Sequence, residues 1–192
     1  MRAYADNPDV QNQAYRLAAV DVGVLPQIVE AMRARMAGAE VHKKACRALI
    51  NNTLGTDAQK QAAVDAGALP QIVEAMRART AGAEVQKKAC RALINITLGT
   101  DAQKQAAVDA GALPQIVAAM RAHAANGGVQ QWACRALFNI TAGDIAQGRA
   151  RRRAAADAGA LTHLVAAMRA HAANAVVQEQ GRFALLLLQR YA

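Results

Sequence analysis

Arginine and asparagine recur four residues apart in a segment that the chain repeats. KKACRALINIT at 87–97 is written almost letter for letter as KKACRALINNT at 43–53 and as QWACRALFNIT at 131–141. A guanidinium binds carboxylates through several N–H groups, and an asparagine amide both donates and accepts hydrogen bonds. The pattern therefore predicts a row of polar groups suited to binding.

Residue types that support catalysis are scarce. The sequence contains no serine, no glycine-rich phosphate loop and no HExxH motif. Cys46, Cys90 and Cys134 occupy the same place in successive repeats, and no nearby His or Cys gives a zinc-ligand spacing. We expect buried, apolar cysteines and a protein that is not an enzyme and needs no cofactor or metal.

Composition favours helices and an acidic partner. Of the 192 residues, 54% are hydrophobic and only 3% aromatic, and the abundant alanine has the lowest entropy cost in a helix. The formal net charge of +9 suggests an acidic peptide, a nucleic acid or an anionic surface as partner. Charge alone does not choose among these three.

Nothing in the sequence indicates export or membrane insertion. The first residues, MRAYADNPDVQ, lack the apolar core of a signal peptide. No apolar run approaches the ~20 residues that span a bilayer. The cysteines are odd in number and occupy equivalent positions in the repeats, which is typical of a protein whose thiols stay reduced. We therefore expect a cytoplasmic or nuclear protein without membrane contact.

Glycines mark a long internal repeat. Gly23, Gly67, Gly111 and Gly159 precede nearly identical segments, at spacings of 44, 44 and 48 residues. Residues 23–66 and 67–110 differ at only four positions. Such similarity indicates recent duplication or deliberate construction, and both origins remain open.

Each repeat predicts three helices. A short first helix, 101–110, starts at an Asp suited to capping and ends at Gly111, where a left-handed turn needs no Cβ. The second opens near Pro114, which a first helical turn tolerates. The third carries an apolar stripe at helical spacing, formed in the second copy by Val85, Ala89, Leu93 and Ile96.

The segments DAGALPQIV and ALINI resemble the armadillo repeat, and this resemblance covers essentially the whole chain. It implies an all-α, right-handed α-α superhelix of three-helix repeats whose stacked units share one core. The predicted organisation is one solenoid domain with an abbreviated cap at 1–22, full repeats at 23–66, 67–110 and 111–158, and a partial repeat at 159–192. The third full repeat contains a four-residue insertion that is expected to lengthen its first helix by one turn.

The last helix is strongly apolar. Leu185 to Leu188 cannot all face inward on one helix. Most of them could belong to the core, or an apolar end could cause self-association or mark repeats missing from a longer parent protein.

Residues at i, i+3 and i+7 share one face of the third helix, away from its apolar stripe. In an armadillo solenoid these columns would lie side by side on the concave surface. They are, from the first repeat to the last, Gln13, Arg16 and Val20; Lys44, Arg47 and Asn51; Lys88, Arg91 and Asn95; Trp132, Arg135 and Asn139; and Gln180, Phe183 and Leu187.

The columns suggest a groove for an extended peptide. Asparagine can bind peptide N–H and C=O groups without reading side chains, and a strand passes one repeat every two to three residues. Armadillo proteins that import basic nuclear signals carry Trp four residues before this Asn, whereas this chain carries Arg47, Arg91 and Arg135. The basic groove is more similar to that of β-catenin, which implies acidic, extended partners.

Structural alternatives stand beside this hypothesis. The arginines could pair with Glu40 or Glu84, and the asparagines could bond to neighbouring backbone. Trp132 could be an exposed binding residue or pack against the next helix. The GRARRR segment at 148–153 is expected to be a solvated charged turn, with a nuclear-import or phosphate-binding signal as alternatives.

The sequence therefore predicts a non-catalytic interaction scaffold. Two alternatives remain: a structural or engineered module that self-associates through its ends, and a nucleic-acid-binding solenoid, which the lack of interleaved aromatics disfavours. The predicted groove residues are Arg16, Lys44, Arg47, Asn51, Lys88, Arg91, Asn95, Trp132, Arg135, Asn139 and Phe183.

Overall fold

The described part of the chain is helical throughout. The computed structural model describes residues 24–34, 38–78, 81–143 and 145–189, which form eleven helices and no strand. The helices are α1 Val24–Arg33, α2 Ala39–Asn52, α3 Asp57–Asp65, α4 Ala68–Arg77, α5 Ala83–Thr97, α6 Asp101–Asp109, α7 Ala112–Ala122, α8 Gly127–Thr141, α9 Ile145–Asp157, α10 Ala160–Ala170 and α11 Ala175–Gln189.

The first helices α3 and α6 each begin one residue earlier than their Asp suggests. Thr100, not Asp101, caps α6: its side chain accepts a hydrogen bond from the Gln103 N–H, and the Gln103 side chain accepts one from the Thr100 N–H. This reciprocal capping box satisfies two free helix N–H groups. At the other end, Gly111 adopts the predicted left-handed conformation with φ of 83°, which favours glycine and turns the chain into α7.

The third helices contain the predicted core stripe. Val85, Ala89, Leu93 and Ile96 of α5 are all buried. A glutamine near the start of the helix also anchors it to the preceding second helix, because the Gln86 side-chain amide donates to the Met76 carbonyl at 2.8 Å. Such a bond satisfies one of the free carbonyls at a helix C-terminus.

The repeats stack through equivalent helices. The third helices α2, α5, α8 and α11 pack side by side, and the second helices α1, α4, α7 and α10 do the same. A continuous core runs between these layers and includes the three fully buried cysteines, Cys46, Cys90 and Cys134. No repeat buries its apolar surface alone, which is the expected behaviour of a solenoid. The predicted all-α armadillo-type architecture is confirmed.

The four-residue insertion lengthens the first helix of its repeat, as predicted. Helix α9 has 13 residues, whereas α6 has nine. The expectation of a solvated turn is wrong for two of its arginines, because Arg151 and Arg152 are almost completely buried. Arg151 donates to the Asp101 carboxylate and to the Ala142 carbonyl, and Arg152 donates to the Thr141 carbonyl.

The predicted cap at 1–22 lies outside the described residues, as do Arg16 and the rest of its column. Among the four leucines of α11, Leu188 is buried, Leu185 and Leu187 are half-buried, and Leu186 is 57% exposed. The apolar end is therefore partly core and partly surface.

Candidate functional site

The three repeated arginines lie on one face of the third-helix layer. Arg47 and Arg135 are exposed, and Arg91 is half-buried. None of the ion pairs found between described residues involves them, because the nearby acids have other partners: Glu40 pairs with Lys43, and Glu84 pairs with Lys87. The alternative in which Glu40 or Glu84 neutralises the arginines does not occur. We call this surface, formed by Lys44, Arg47, Lys88, Arg91, Trp132 and Arg135, the basic face.

Trp132 connects two of these arginines. The Arg91 guanidinium carbon lies 5.4 Å from the centroid of the Trp132 ring, and that of Arg135 lies 5.7 Å from it. Both separations are within the range of a cation–π interaction. Trp132 is half-buried against the core, so it has both partial burial and an accessible edge. Stacking restrains two guanidinium groups from adjacent repeats on one aromatic side chain.

The asparagines bond to neighbouring backbone. The Asn95 side-chain amide donates to the Ile50 carbonyl at 3.2 Å, and Asn139 donates to the Ile94 carbonyl at 3.3 Å. Asn139 also donates to the Thr97 hydroxyl at 2.7 Å. Asn95 is only 8% exposed, whereas Asn51 is exposed. In the second and third full repeats these amides therefore join one third helix to the preceding one.

Lysines surround the acids at the start of the third helices. The hydrogen bond from Lys43 lowers the pKa of Glu40, and that from Lys87 lowers the pKa of Glu84. The positive charges of Lys44 and Lys88 act in the same direction. Both carboxylates stay ionised at neutral pH, so the basic face has an acidic border along α2 and α5.

The last helix breaks the pattern. Phe183 of α11 occupies the place of Arg135 and is 46% exposed, and Leu187 occupies the place of Asn139. The rings of Phe183 and Phe138 have centroids 6.0 Å apart with an interplanar angle of 41°, typical of a tilted aromatic pair. The structure thus brings Phe183 next to α8, where Trp132 and Arg135 also lie.

Two residues that lie near Phe183, namely Val176 and Phe138, were not predicted from the sequence. Val176 lies seven residues before Phe183 and so shares its helix face. Extending the predicted column one turn towards the N-terminus would have included Val176. No sequence signal indicates that Phe138 meets Phe183, since that contact depends on how two helices pack.

Among the described residues, no three His, Cys, Asp or Glu side chains are placed to hold a metal ion. Burial raises the pKa of Cys46, Cys90 and Cys134 to about 12, which disfavours the thiolate form. No helix in the described ranges is long and apolar enough to cross a membrane.

Comparison with known proteins defines the class. The model of the Armadillo/beta-catenin-like repeat matches residues 56–98 and 100–142. An engineered protein solved by the Northeast Structural Genomics Consortium is 31% identical, with a TM-score of 0.79, and the match covers 96% of this chain and 69% of that protein. A designed armadillo repeat protein that is 30% identical supports the same assignment, and the chain belongs to the armadillo repeat family.

Designed members of the family are also similar to the chain. A designed armadillo repeat protein in complex with the peptide (KR)4 is 30% identical, with a TM-score of 0.76 over 90% of this chain and 67% of that one. One of the computationally designed armadillo repeat proteins for modular peptide recognition is 27% identical, with a TM-score of 0.72 over 94% and 76%. No curated protein sequence matches significantly. Armadillo repeat proteins are typically non-catalytic binding scaffolds.

Proposed function

We propose that this chain binds an extended, acidic segment of a protein along the basic face of its third helices. The observation that carries the proposal is the set of three arginines, Arg47, Arg91 and Arg135, which come from successive repeats and have no acidic partner among the described residues. Repetition at helix-packing distances suits an extended ligand, which meets one arginine every two to three residues.

The positive charge of this chain opposes binding of a basic peptide such as (KR)4, with which a designed relative was solved. A basic peptide would meet Arg47, Arg91 and Arg135 in addition to a net charge of +9. Like charges brought together in a groove oppose binding, whereas carboxylates would form charge-assisted hydrogen bonds with the guanidinium groups. The stacking of Arg91 and Arg135 on Trp132 supports the proposal further, because less side-chain entropy is lost when these groups bind.

The asparagines have a smaller role in this proposal than the sequence suggested. The amides of Asn95 and Asn139 already donate to backbone carbonyls. Asn51 is exposed and is the asparagine best placed to bind a peptide backbone. We therefore assign recognition to the arginines and Trp132.

The buried thiols fit a reducing compartment, so we propose that the interaction takes place in the cytoplasm or the nucleus.

Trp132 provides the test, because it is the only tryptophan in the chain and it lies on the basic face. Titration with an acidic extended peptide should change its fluorescence saturably, and the change should weaken with salt, since exposed charges are screened within ~8–10 Å. The (KR)4 peptide and a short single-stranded oligonucleotide serve as comparisons. If the oligonucleotide binds equally well, the binding reflects only the positive net charge of the protein and not a site for acidic peptides.

A matched pair of variants separates the site from net charge. Replacing Arg47, Arg91 and Arg135 together by Glu should abolish binding with helicity retained. The control replaces the second-helix residues Arg33, Arg77 and Arg121 by Glu, which changes the net charge equally. All three control residues are exposed. Equal loss in both variants, or retained affinity in the first, would contradict the proposal.

Self-association through the end of the solenoid is a second candidate. Leu161, Val165 and Leu185 line an open cavity of about 430 Å³ between α10 and α11. Their counterparts one repeat earlier, Leu113, Val117 and Leu137, are buried. A second copy could cover the exposed surface tail to tail, which gives a closed dimer.

The candidate predicts a mass that rises with concentration towards that of a dimer in analytical ultracentrifugation. Leu186→Glu should prevent the rise. Leu98→Glu should not, since Leu98 is similarly exposed, at 53%, but lies at the end of α5. A concentration-independent monomer mass would exclude this candidate.

A further inference from the structure

The basic face does not continue to the last repeat. The outward position of the third helix is Arg47, Arg91 and Arg135 in three successive repeats, and Phe183 in the fourth. The position four residues further along is Asn51, Asn95 and Asn139, and then Leu187. One continuous surface therefore changes from basic to apolar between α8 and α11.

The exposed apolar side chains are concentrated in α11. Val176 and Phe183 are 41% and 46% exposed and share one helix face, with Leu187 half-buried on the same side. Elsewhere in the described residues the large exposed hydrophobic residues are Val41 and Leu54, near opposite ends of α2, and Leu98 at the end of α5. Single exposed apolar residues are normal for a soluble protein, whereas a group on one face indicates a contact surface.

Phe183 joins this group to the basic face. Its ring contacts that of Phe138, which belongs to the same helix as Trp132 and Arg135. Phe183 also forms one wall of an open cavity of about 320 Å³, together with Ala175, Gln178, Glu179 and Arg182. A ligand lying along the basic face would thus pass directly onto an aromatic surface with open space beside it.

We infer that Val176, Phe183 and Leu187, with Phe138, form an apolar subsite for a large side chain of the same extended ligand. This inference rests on the proposed function and specifies the partner further. The partner carries an acidic segment followed or preceded by a Leu-, Ile- or Phe-like residue. Because third helices lie ~8–10 Å apart and a strand rises ~3.3 Å per residue, the apolar residue lies roughly two to three residues beyond the acid that binds Arg135.

The test uses four peptides and three proteins. Two peptides carry the same acidic segment, one with Leu before it and one with Leu after it. The other two are their counterparts, in which Ser replaces Leu. The proteins are wild type, Phe183→Ser and the control Leu98→Ser, and affinities are measured by fluorescence anisotropy. Both mutated residues are exposed, and circular dichroism checks that helicity is retained.

For one of the two positions of Leu in the peptide, wild type and Leu98→Ser should each bind the Leu peptide about tenfold more tightly than the matching Ser peptide. This is the gain expected from burial of one large apolar side chain. This advantage should disappear in Phe183→Ser, which is the result of a double-mutant cycle for two groups in contact. The position of Leu that gains affinity reports the direction in which the ligand runs.

The other outcomes separate the two proposals. If acidic peptides bind but Leu and Ser are equivalent at both positions, the apolar subsite is wrong and the basic face stands. If the Leu advantage persists in Phe183→Ser, the apolar residue binds elsewhere and the inference is overturned. If no acidic peptide binds wild type, both proposals fail.

Discussion

Arg151 lies at the repeat position that Gln103 occupies one repeat earlier, and both reach back to the preceding first helix. Gln103 donates to the Asp57 carbonyl at 3.3 Å, whereas Arg151 donates to the Asp101 carboxylate at 3.0 Å. Asp57 and Asp101 are themselves equivalent residues. The lengthened α9 therefore replaces a neutral hydrogen bond between repeats with a charge-assisted one.

The buried Arg151 should be important for stability. Arg151→Leu removes the bonds to Asp101 and to the Ala142 carbonyl and leaves both with fewer partners. We expect the free energy of unfolding to fall by about 2–3 kcal/mol, measured by urea denaturation. Arg153→Leu is the matched control, because Arg153 is exposed on the same helix and should change stability by only about 0.5 kcal/mol. Equal effects of the two variants would contradict the role of Arg151.

Burial of this arginine was not predictable from the sequence, and the reason is physical. GRARRR contains four arginines in six residues, and local composition predicts that such a segment is solvated. Whether a guanidinium is buried depends on partners distant in sequence, here Asp101 and the carbonyls of Thr141 and Ala142. The added helical turn was predictable because four residues match the helix period.

For the candidate site, the sequence predicted which helix face carries the residues, but not which groups they contact. Helical periodicity placed Arg91 and Asn95 away from the core stripe of α5, but it could not give their partners. Asn95 meets the Ile50 carbonyl only because α2 and α5 pack closely enough. Trp132 between Arg91 and Arg135 likewise requires the packing of two helices. Repetition in sequence thus indicates which residues share a surface, and the spacing between helices decides which of them remain available.

A glutamine near the start of the third helix should stabilise the repeats that contain it. Gln130 is buried and donates to the carbonyls of Met120 and His123, both at 2.9 Å. Gln130→Leu keeps the side-chain volume but leaves these carbonyls without that donor, so we expect a loss of about 1–3 kcal/mol in the free energy of unfolding. Gln27→Leu, at an exposed position of α1, is the control. An unchanged midpoint in urea for Gln130→Leu would show that the bonds contribute nothing net.

Stability should depend on the ionisation of Asp101. Burial raises its pKa, but the hydrogen bond from Lys104 and the charges of Arg151 and Lys104 outweigh this effect, so the pKa in the folded protein lies below the ordinary value of 3.8. A lowered folded-state pKa stabilises the protein above the ordinary value, and this contribution is lost as the pH falls through the lower one. The stability difference between wild type and Asp101→Asn should therefore be largest at neutral pH and shrink below 3.8. A difference that does not vary with pH would contradict this assignment.

The native thiols should be inert until the solenoid opens. Burial raises the pKa of Cys90 to about 12, so almost no thiolate exists near neutral pH, and thiolate is the reactive form. We expect no modification by a thiol reagent in native buffer and modification of all three cysteines in urea. Ala58→Cys, at an exposed position of α3, should react at once and is the positive control.

Because reaction of a buried thiol requires local opening, slow labelling at low urea would measure the opening free energy of each repeat. Fast labelling of Cys90 in native buffer would contradict the tight packing of α5 between α2 and α8.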